Sequence, residues 1–159
     1  ILEWTLDLER LNENPLMTFE GQDRSLEAKK HFGLSIDSVT LDCFVEAPLH
    51  RVNPLNNLKS EVSVFENIIR NASQIGISIG VLPLVFESGV DDKSSLDALF
   101  KLLEELENEC INNKFSVALE KRVSANGAVV SSNFFKIFKL TGPWTFGSFL
   151  SSHIKNVGA

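Results

Sequence analysis

The sequence has no tyrosine, one methionine and two cysteines, and it has no long apolar run. Its longest apolar stretch, 75–86, is broken by Gly76, Ser78, Gly80 and Pro83, whereas a bilayer span needs about 20 apolar residues. The sequence therefore predicts no transmembrane segment. The two cysteines lie in an apolar run and on the apolar side of a predicted helix, so we expect both to be free, small buried hydrophobes.

Motifs that would identify a reaction are also missing. The three histidines form no HxxxH or HxH pattern, and there is no CxxC pair, no GxGxxG or Walker pattern and no GxSxG. The sequence therefore assigns no cofactor, no metal ligand and no catalytic residue, and an enzyme is the less favoured class.

One group of residues resembles a catalytic cluster. A strand through residues 39–45 would place Asp42 and Glu46 on one face, with His50 and Arg51 just beyond its end. A general base oriented by a carboxylate can be built in this way. The favoured interpretation is that Asp42 and Glu46 are the solvent side of an amphipathic strand.

Length and composition predict one globular domain over residues 1–159. A chain of 159 residues with 43% hydrophobic and 23% charged residues can bury about 70% of the surface that its unfolded form exposes. The chain begins with Ile1 and shows no basic-then-apolar leader, so we expect a domain excised from a longer chain or a processed product. Localisation is unknown from the sequence, with the cytoplasm favoured.

Hydrophobic periodicity predicts strands alternating with helices. Strands are expected from alternating or continuous apolar residues, and helices from apolar residues at three- and four-residue spacing. The predicted order is strand 2–8, a short strand 17–19, a helix from Ser25 to Phe32 that stops at Gly33, strand 39–45, helix 58–73, strand 75–86, and a helix from Ser94 or Ser95 to Asn112.

Asn126-Gly127 predicts a β-hairpin, because a type I′ turn needs positive φ at both central residues. This turn would set Leu119 opposite Phe134. Val117 would then meet Lys136, a clash that a bulge in the second strand would relieve. Beyond Gly142-Pro143, the spacing of apolar residues predicts a short terminal helix.

The expected fold class is α+β. We predict a single mixed sheet of about five or six strands, helices mainly on one face, a C-terminal β-hairpin and a short terminal helix.

Charge is divided unevenly along the chain. Residues 1–111 hold 20 acids and nine Lys and Arg, a balance of −11, whereas residues 112–159 hold six Lys and Arg against Glu120, a balance of +5. A chain that is acidic overall but ends in a basic segment favours a negatively charged partner, either another copy or a polyanion.

The basic segment is also rich in aromatic residues. On a sheet, such residues form either a core face or an exposed patch that binds a partner. Phe is the aromatic of dry contacts, so the absence of Tyr favours protein over nucleic acid as the partner. The interaction candidates are Lys121, Arg122, Phe135, Lys136, Lys139, Trp144, Phe146 and Phe149.

The sequence thus favours a non-enzymatic protein–protein interaction or assembly module that self-associates into a homo-oligomer or binds a protein partner. The first alternative is a binder of single-stranded nucleic acid through the C-terminal hairpin, although the pI of about 5.1 argues against it. The second is a small hydrolase or transferase with a dispersed site, which a concave pocket with convergent polar groups would support.

Overall fold

The computed structural model describes residues 2–49, 58–90, 92–121, 124–125, 128–129 and 134–138, with side chains for 2–49, 62–90 and 92–120. The helices and strands in this part of the chain are β1 (Leu2–Thr5), α1 (Phe19–Phe32), β2 (Ile36–Thr40), α2 (Cys43–Glu46), α3 (Leu58–Gln74), β3 (Ile79–Leu84), α4 (Lys93–Asn112), β4 (Ser116–Lys121), β5 (Ser124–Ala125), β6 (Ala128–Val129) and β7 (Phe134–Phe138).

The first four strands form a parallel sheet in chain order, β1-β2-β3-β4, and a helix lies between each strand and the next. The fold is therefore mixed α/β, with four parallel strands and four helices. This confirms the coarse form of the prediction, a domain that combines helices with a β-sheet. The total of five or six strands, the hairpin and the terminal helix depend on C-terminal residues, most of which lie outside the described part, and these remain predictions.

One face of the sheet is buried and the other is more polar. Trp4, Val39, Gly80 and Val117 are register partners along one row and point to the same face, since side chains alternate along each strand. The buried face continues with Leu6, Leu41, Leu82 and Leu119, all within one hydrophobic core. The opposite face carries Glu3, Thr5, Ser38, Thr40, Ser116 and Glu120, all exposed or half-buried, and also the buried Val81 and Ala118 of the central strands.

The helices α3 and α4 cover the buried face. In α3, Phe65, Ile69 and Ala72 recur at helical spacing and are buried in the same core as the strand residues. In α4, Leu99, Leu103 and Leu106 do the same. Both predicted helices are confirmed, although Asp92 caps α4, in place of the predicted Ser94, by accepting a hydrogen bond from the Ser95 amide at 2.7 Å.

The helix predicted to begin at Ser25 begins at Phe19. The hydroxyl of Thr18 caps it by accepting a hydrogen bond from the Gly21 amide at 3.1 Å, and the Ser25 hydroxyl donates to the Gly21 carbonyl within the helix. The short strand predicted at 17–19 is wrong, because residues 15–17 form a 3₁₀ turn that the side chain of Asn14 caps. The predicted end at Gly33 is confirmed by its φ of 63°.

The strand predicted over 39–45 is also corrected. β2 ends at Thr40, and Cys43–Glu46 forms one helical turn, α2. The alternation of Cys43 and Val45 with polar neighbours imitates a strand. However, the amide of Cys43 donates to the carbonyl of Leu6 at 2.6 Å, which turns the chain away from the sheet.

The strand predicted over 75–86 is the shorter β3. It is central, because it pairs with β2 on one side and β4 on the other. Pro83, which has no amide hydrogen, lies beyond the last residue that pairs with β2 and faces only Glu120 of β4. The missing donor therefore interrupts no ladder on the β2 side.

β7 lies antiparallel beside β4, with Leu119 opposite Lys136 and Val117 opposite Phe138. The predicted partner of Leu119, Phe134, is therefore wrong by two residues. Nearer the turn, Ser124 pairs with Val129 and Ala125 with Ala128, the pairs that a turn at 126–127 requires. The extra length lies between β6 and β7. Asn126 and Gly127 themselves, and the predicted terminal helix, lie outside the described residues.

Among the helices of the described ranges, none has both the length and the apolar character needed to cross a bilayer.

A close contact between β3 and the start of β4 yields a test of the core. A Cβ atom on Gly80 would lie 2.8 Å from Cε1 of the buried Phe115 ring. We expect Gly80→Ala to lower the free energy of unfolding by about 1–3 kcal/mol, because a packed core resists added volume. Urea denaturation measures the loss. In a Phe115→Leu background the same substitution should cost less, and an equal cost in both backgrounds would contradict the steric explanation.

Candidate ligand pocket

The carboxyl ends of β1, β2 and β3 meet at one edge of the sheet. The Leu6 amide donates to the Thr40 carbonyl at 2.9 Å, and the Leu41 amide donates to the Val81 carbonyl at 2.9 Å. Parallel pairing aligns the three strand ends, so the residues that follow them are brought together. Ligand sites of open α/β sheets lie beyond the carboxyl ends of the strands, usually where the strand order reverses, and the order β1-β2-β3-β4 has no such reversal.

A cavity of about 440 Å³ opens at this edge. Its size lies within the range of about 300–1,000 Å³ that is usual for small-molecule sites. Four carboxylates and one guanidinium line it, so the lining carries an excess of negative charge; we call this cavity the carboxylate pocket. Its charged residues are Asp7 and Glu9 with Arg10, which follow β1, and Asp42 and Glu46, which follow β2.

The carboxylate of Asp42 is not balanced by a positive group or a hydrogen-bond donor among the described residues. Burial, and then the neighbouring carboxylates of Asp7 and Glu3, raise the pKa of Asp42 above its ordinary value. Although Asp42 occupies the N-cap position of α2, its side chain accepts no capping hydrogen bond. Within the described residues no donor contacts this carboxylate, whereas Glu3 accepts a hydrogen bond from the Thr40 hydroxyl at 2.7 Å. Asp42 is therefore a half-buried carboxylate of the pocket that can accept a hydrogen bond from a ligand.

Arg10 does little to neutralise the pocket. Its guanidinium lies 3.6 Å from the carboxylate of Glu13, and both side chains are more than 70% exposed. An exposed pair of this kind is weak and is screened by solvent.

An apolar wall faces the carboxylates. Leu8, Val45, Val85 and Phe86 complete the lining, and the Phe86 side chain is 80% exposed. Phe86 also has a φ of 50°, which costs free energy for a residue with a side chain. An exposed aromatic ring held in an unfavourable backbone conformation at a cavity is typical of a functional position.

Buried Ser88 holds this turn in place. Its hydroxyl lies 2.7 Å from the Pro83 carbonyl and 2.8 Å from the Val85 carbonyl, and it accepts a hydrogen bond from the Val85 amide at 3.0 Å. Because all of its bonds stay within the turn, Ser88 positions Phe86 and is not an exposed nucleophile.

The two cysteine thiols are unreactive. Burial raises the pKa of Cys43 to about 12, and that of Cys110 to about 12, so both remain thiols at neutral pH. Both are free and buried, as predicted. No group of three His, Cys, Asp or Glu in the described ranges is arranged to hold a metal ion.

The structure brings together only some of the site residues predicted from the sequence. Asp42 and Glu46 do come together, at the pocket and not on a strand, whereas His50 and Arg51 lie outside the described residues. Among the interaction candidates, Lys121 ends β4 and Phe135 and Lys136 lie in β7, but their side chains are not described. The remaining candidates, Arg122, Lys139, Trp144, Phe146 and Phe149, lie outside the described residues.

Sequence reasoning missed Asp7, Glu9, Arg10 and Phe86. One pattern could have found two of the carboxylates: an acid directly follows the last buried leucine of two predicted strands, in Leu6-Asp7 and Leu41-Asp42. The pattern locates a site only once the strands are known to be parallel neighbours. A scan of protein-family models found no match to this chain, and no curated protein sequence matches it.

The unrelieved charge of Asp42 predicts a stabilising substitution. An acid whose pKa is higher in the folded than in the unfolded state destabilises the fold once it is ionised. We expect Asp42→Asn to raise the free energy of unfolding at pH 7 by roughly 0.5 kcal/mol, since solvent screens this half-buried group. The gain should fade as pH falls through the raised pKa of Asp42 and be absent below the ordinary aspartate pKa of about 4. Urea denaturation at pH 7 and pH 3.5 measures both values. A loss of stability at pH 7 would show that the carboxylate has a structural partner.

Proposed function

We propose that the protein binds a small organic cation in the carboxylate pocket, with Asp42 as the group that accepts its hydrogen bond or proton. The observation that carries this proposal is the cavity at the carboxyl ends of three parallel strands, where the Asp42 carboxylate lacks a described partner. Of the functions considered from the sequence, this proposal is closest to the small hydrolase or transferase with a dispersed site.

The charge of the lining supports a cation as the ligand. Asp7, Glu9, Asp42 and Glu46 outnumber Arg10, which is itself close to Glu13. An anionic ligand would add repulsion, whereas an ammonium group would offset both the burial of the Asp42 charge and the repulsion from Asp7 and Glu3, which together raise the pKa of Asp42. Charge-assisted hydrogen bonds to a carboxylate are also the stronger kind.

Phe86 supports the same ligand class. An aromatic face attracts a cation through its quadrupole, and an exposed ring contributes roughly 0.5–1 kcal/mol in this way. The neighbouring Val85, Val45 and Leu8 offer an apolar surface for the hydrocarbon part of the ligand. A small alkylamine combines both features.

The interaction or assembly module predicted from the charge division is a second proposal. Its support is the basic sequence of 112–159 and the position of β7 at the edge of the sheet. We propose that a hairpin turning at Asn126-Gly127 presents this segment, because Ser124–Val129 and Ala125–Ala128 pair on either side of that turn. Single-stranded nucleic acid remains the alternative partner.

Binding of a diamine tests the first proposal. We expect putrescine to bind more tightly than the polyol glycerol, and the dicarboxylate succinate not to bind, by isothermal titration calorimetry at low salt. Because a cation favours the ionised form of Asp42, affinity should fall as pH falls through the raised pKa of Asp42. Asp42→Asn should weaken binding at least tenfold and reduce this pH dependence.

Two variants serve as comparisons for that titration. Asp97→Asn, which removes an exposed carboxylate on α4, should leave affinity unchanged. Phe86→Gly removes the ring and relieves the positive φ, so it should weaken binding about fivefold without lowering stability. Preferred binding of succinate, or full affinity in Asp42→Asn, would contradict the proposal.

Salt dependence tests the second proposal. If the basic segment contacts the acidic body of another copy, the mass in solution should fall towards the monomer as salt screens the charges, and Lys136→Glu should have the same effect. Analytical ultracentrifugation at low and high salt measures this. Titration with single-stranded RNA, begun at low salt, tests the nucleic-acid alternative. Each phosphate contact should steepen the fall of log affinity with log salt concentration by about 0.7. A monomer at low salt that does not bind RNA would remove both.

A further inference from the structure

The first helix has its polar and apolar sides reversed. Its only buried residue is Gln22, whose amide donates to the Leu16 carbonyl at 2.8 Å. On the same side the ammonium group of Lys29 donates to the Ile75 carbonyl at 2.6 Å. By contrast, Phe19 is 80% exposed and Leu26 is 43% exposed. A surface helix normally turns its apolar residues inward, so this arrangement requires another explanation.

The outward residues form one stripe. Phe19, Asp23, Leu26 and Lys30 follow one another at spacings of four, three and four residues, which places them on one helical face. We call these four residues the α1 stripe. In the described part of the chain, neither Asp23 nor Lys30 takes part in an ion pair, whereas the neighbouring Arg24 pairs with Glu20. The stripe thus offers apolar surface together with an uncompensated acid and an uncompensated base.

The order of these charges makes the stripe complementary to itself. A twofold axis midway between positions 26 and 27 places two α1 helices antiparallel and brings Leu26 close to Leu26 of the second copy. Asp23 then faces Lys30 of the second copy, and the symmetry repeats that pair on the other side of the axis. Phe19 covers the helix end near Gly33 of the second copy. No parallel arrangement satisfies both charges.

We propose that the α1 stripe is a homodimer contact, in which two copies of this chain pack their first helices antiparallel about Leu26. The four residues of the α1 stripe belong neither to the lining of the carboxylate pocket nor to the basic sequence of 112–159.

The size of the surface sets the expected strength. A helix of 14 residues is about 21 Å long, so two such helices bury less than the 1,200–2,000 Å² of a standard stable interface. We therefore expect a dimer that forms at micromolar or higher concentration, with an affinity that falls as salt screens the two pairs.

A charge exchange on the full chain tests the proposal. Asp23→Lys and Lys30→Asp should each weaken dimerisation about tenfold, because each places like charges opposite one another at two symmetric positions. The double variant with both substitutions should recover dimerisation, since it restores complementarity with the signs reversed. Leu26→Glu should abolish the dimer by placing two carboxylates at the axis. Sedimentation equilibrium between about 10 μM and 1 mM measures all four.

Lys101→Asp, a charge reversal of the same size at an exposed site on α4, is the matched control and should leave the dimer intact. A monomeric wild type at 1 mM, or a double variant that fails to recover, would overturn the proposal. A dimer that Leu26→Glu leaves intact would also overturn it. That result would favour a contact through the basic C-terminal segment, which Lys136→Glu tests. A large fall in melting temperature of Leu26→Glu at dilute concentration would also overturn it, by showing that the stripe packs within its own chain.

Discussion

Parallel pairing of neighbouring strands is the constraint on which the rest of this structure depends. Because β1, β2, β3 and β4 run in the same direction, crossovers must join them, and the crossover helices α3 and α4 cover the apolar face of the sheet. The same pairing collects all three carboxyl ends at one edge. The core and the carboxylate pocket are therefore two consequences of a single arrangement. The backbone bonds from Leu6 to Thr40 and from Leu41 to Val81 hold both together.

The predictable parts of the fold are those in which local pattern and tertiary environment agree. The apolar spacing of α3 and α4 reports burial directly, because each helix packs one stripe against the sheet. The alternation at 39–45 misleads, because a helical turn can also bury Cys43 and Phe44 while leaving polar neighbours outside. The first helix was predicted too short for a related reason. Its inner side carries Gln22 and Lys29, which no hydrophobic pattern identifies as inward.

The pocket could not be predicted from the sequence, because its residues are far apart along the chain. Asp7 and Asp42 are 35 residues apart, and only the pairing of β1 with β2 makes them neighbours. Asp42 and Glu46 could be grouped from sequence, because they are four residues apart, but the strand assigned to them predicted a solvent face. Phe86 has no pattern at all in sequence. Its importance comes from a backbone dihedral that the turn around Ser88 imposes.

Unfavourable features of the described residues collect at the pocket. Positive φ also occurs at Lys114, but there it follows the end of α4 and lets the Lys114 amide bond the Ile111 carbonyl, so helix termination explains it. Phe86 has no such explanation: its ring is exposed and its backbone is strained. Asp42 adds a carboxylate that two neighbouring acids oppose. For stability alone, glycine would be the better residue at position 86 and asparagine the better residue at position 42. A bound cation would offset both features, by supplying the positive charge that Asp42 lacks and the contact surface that Phe86 lacks.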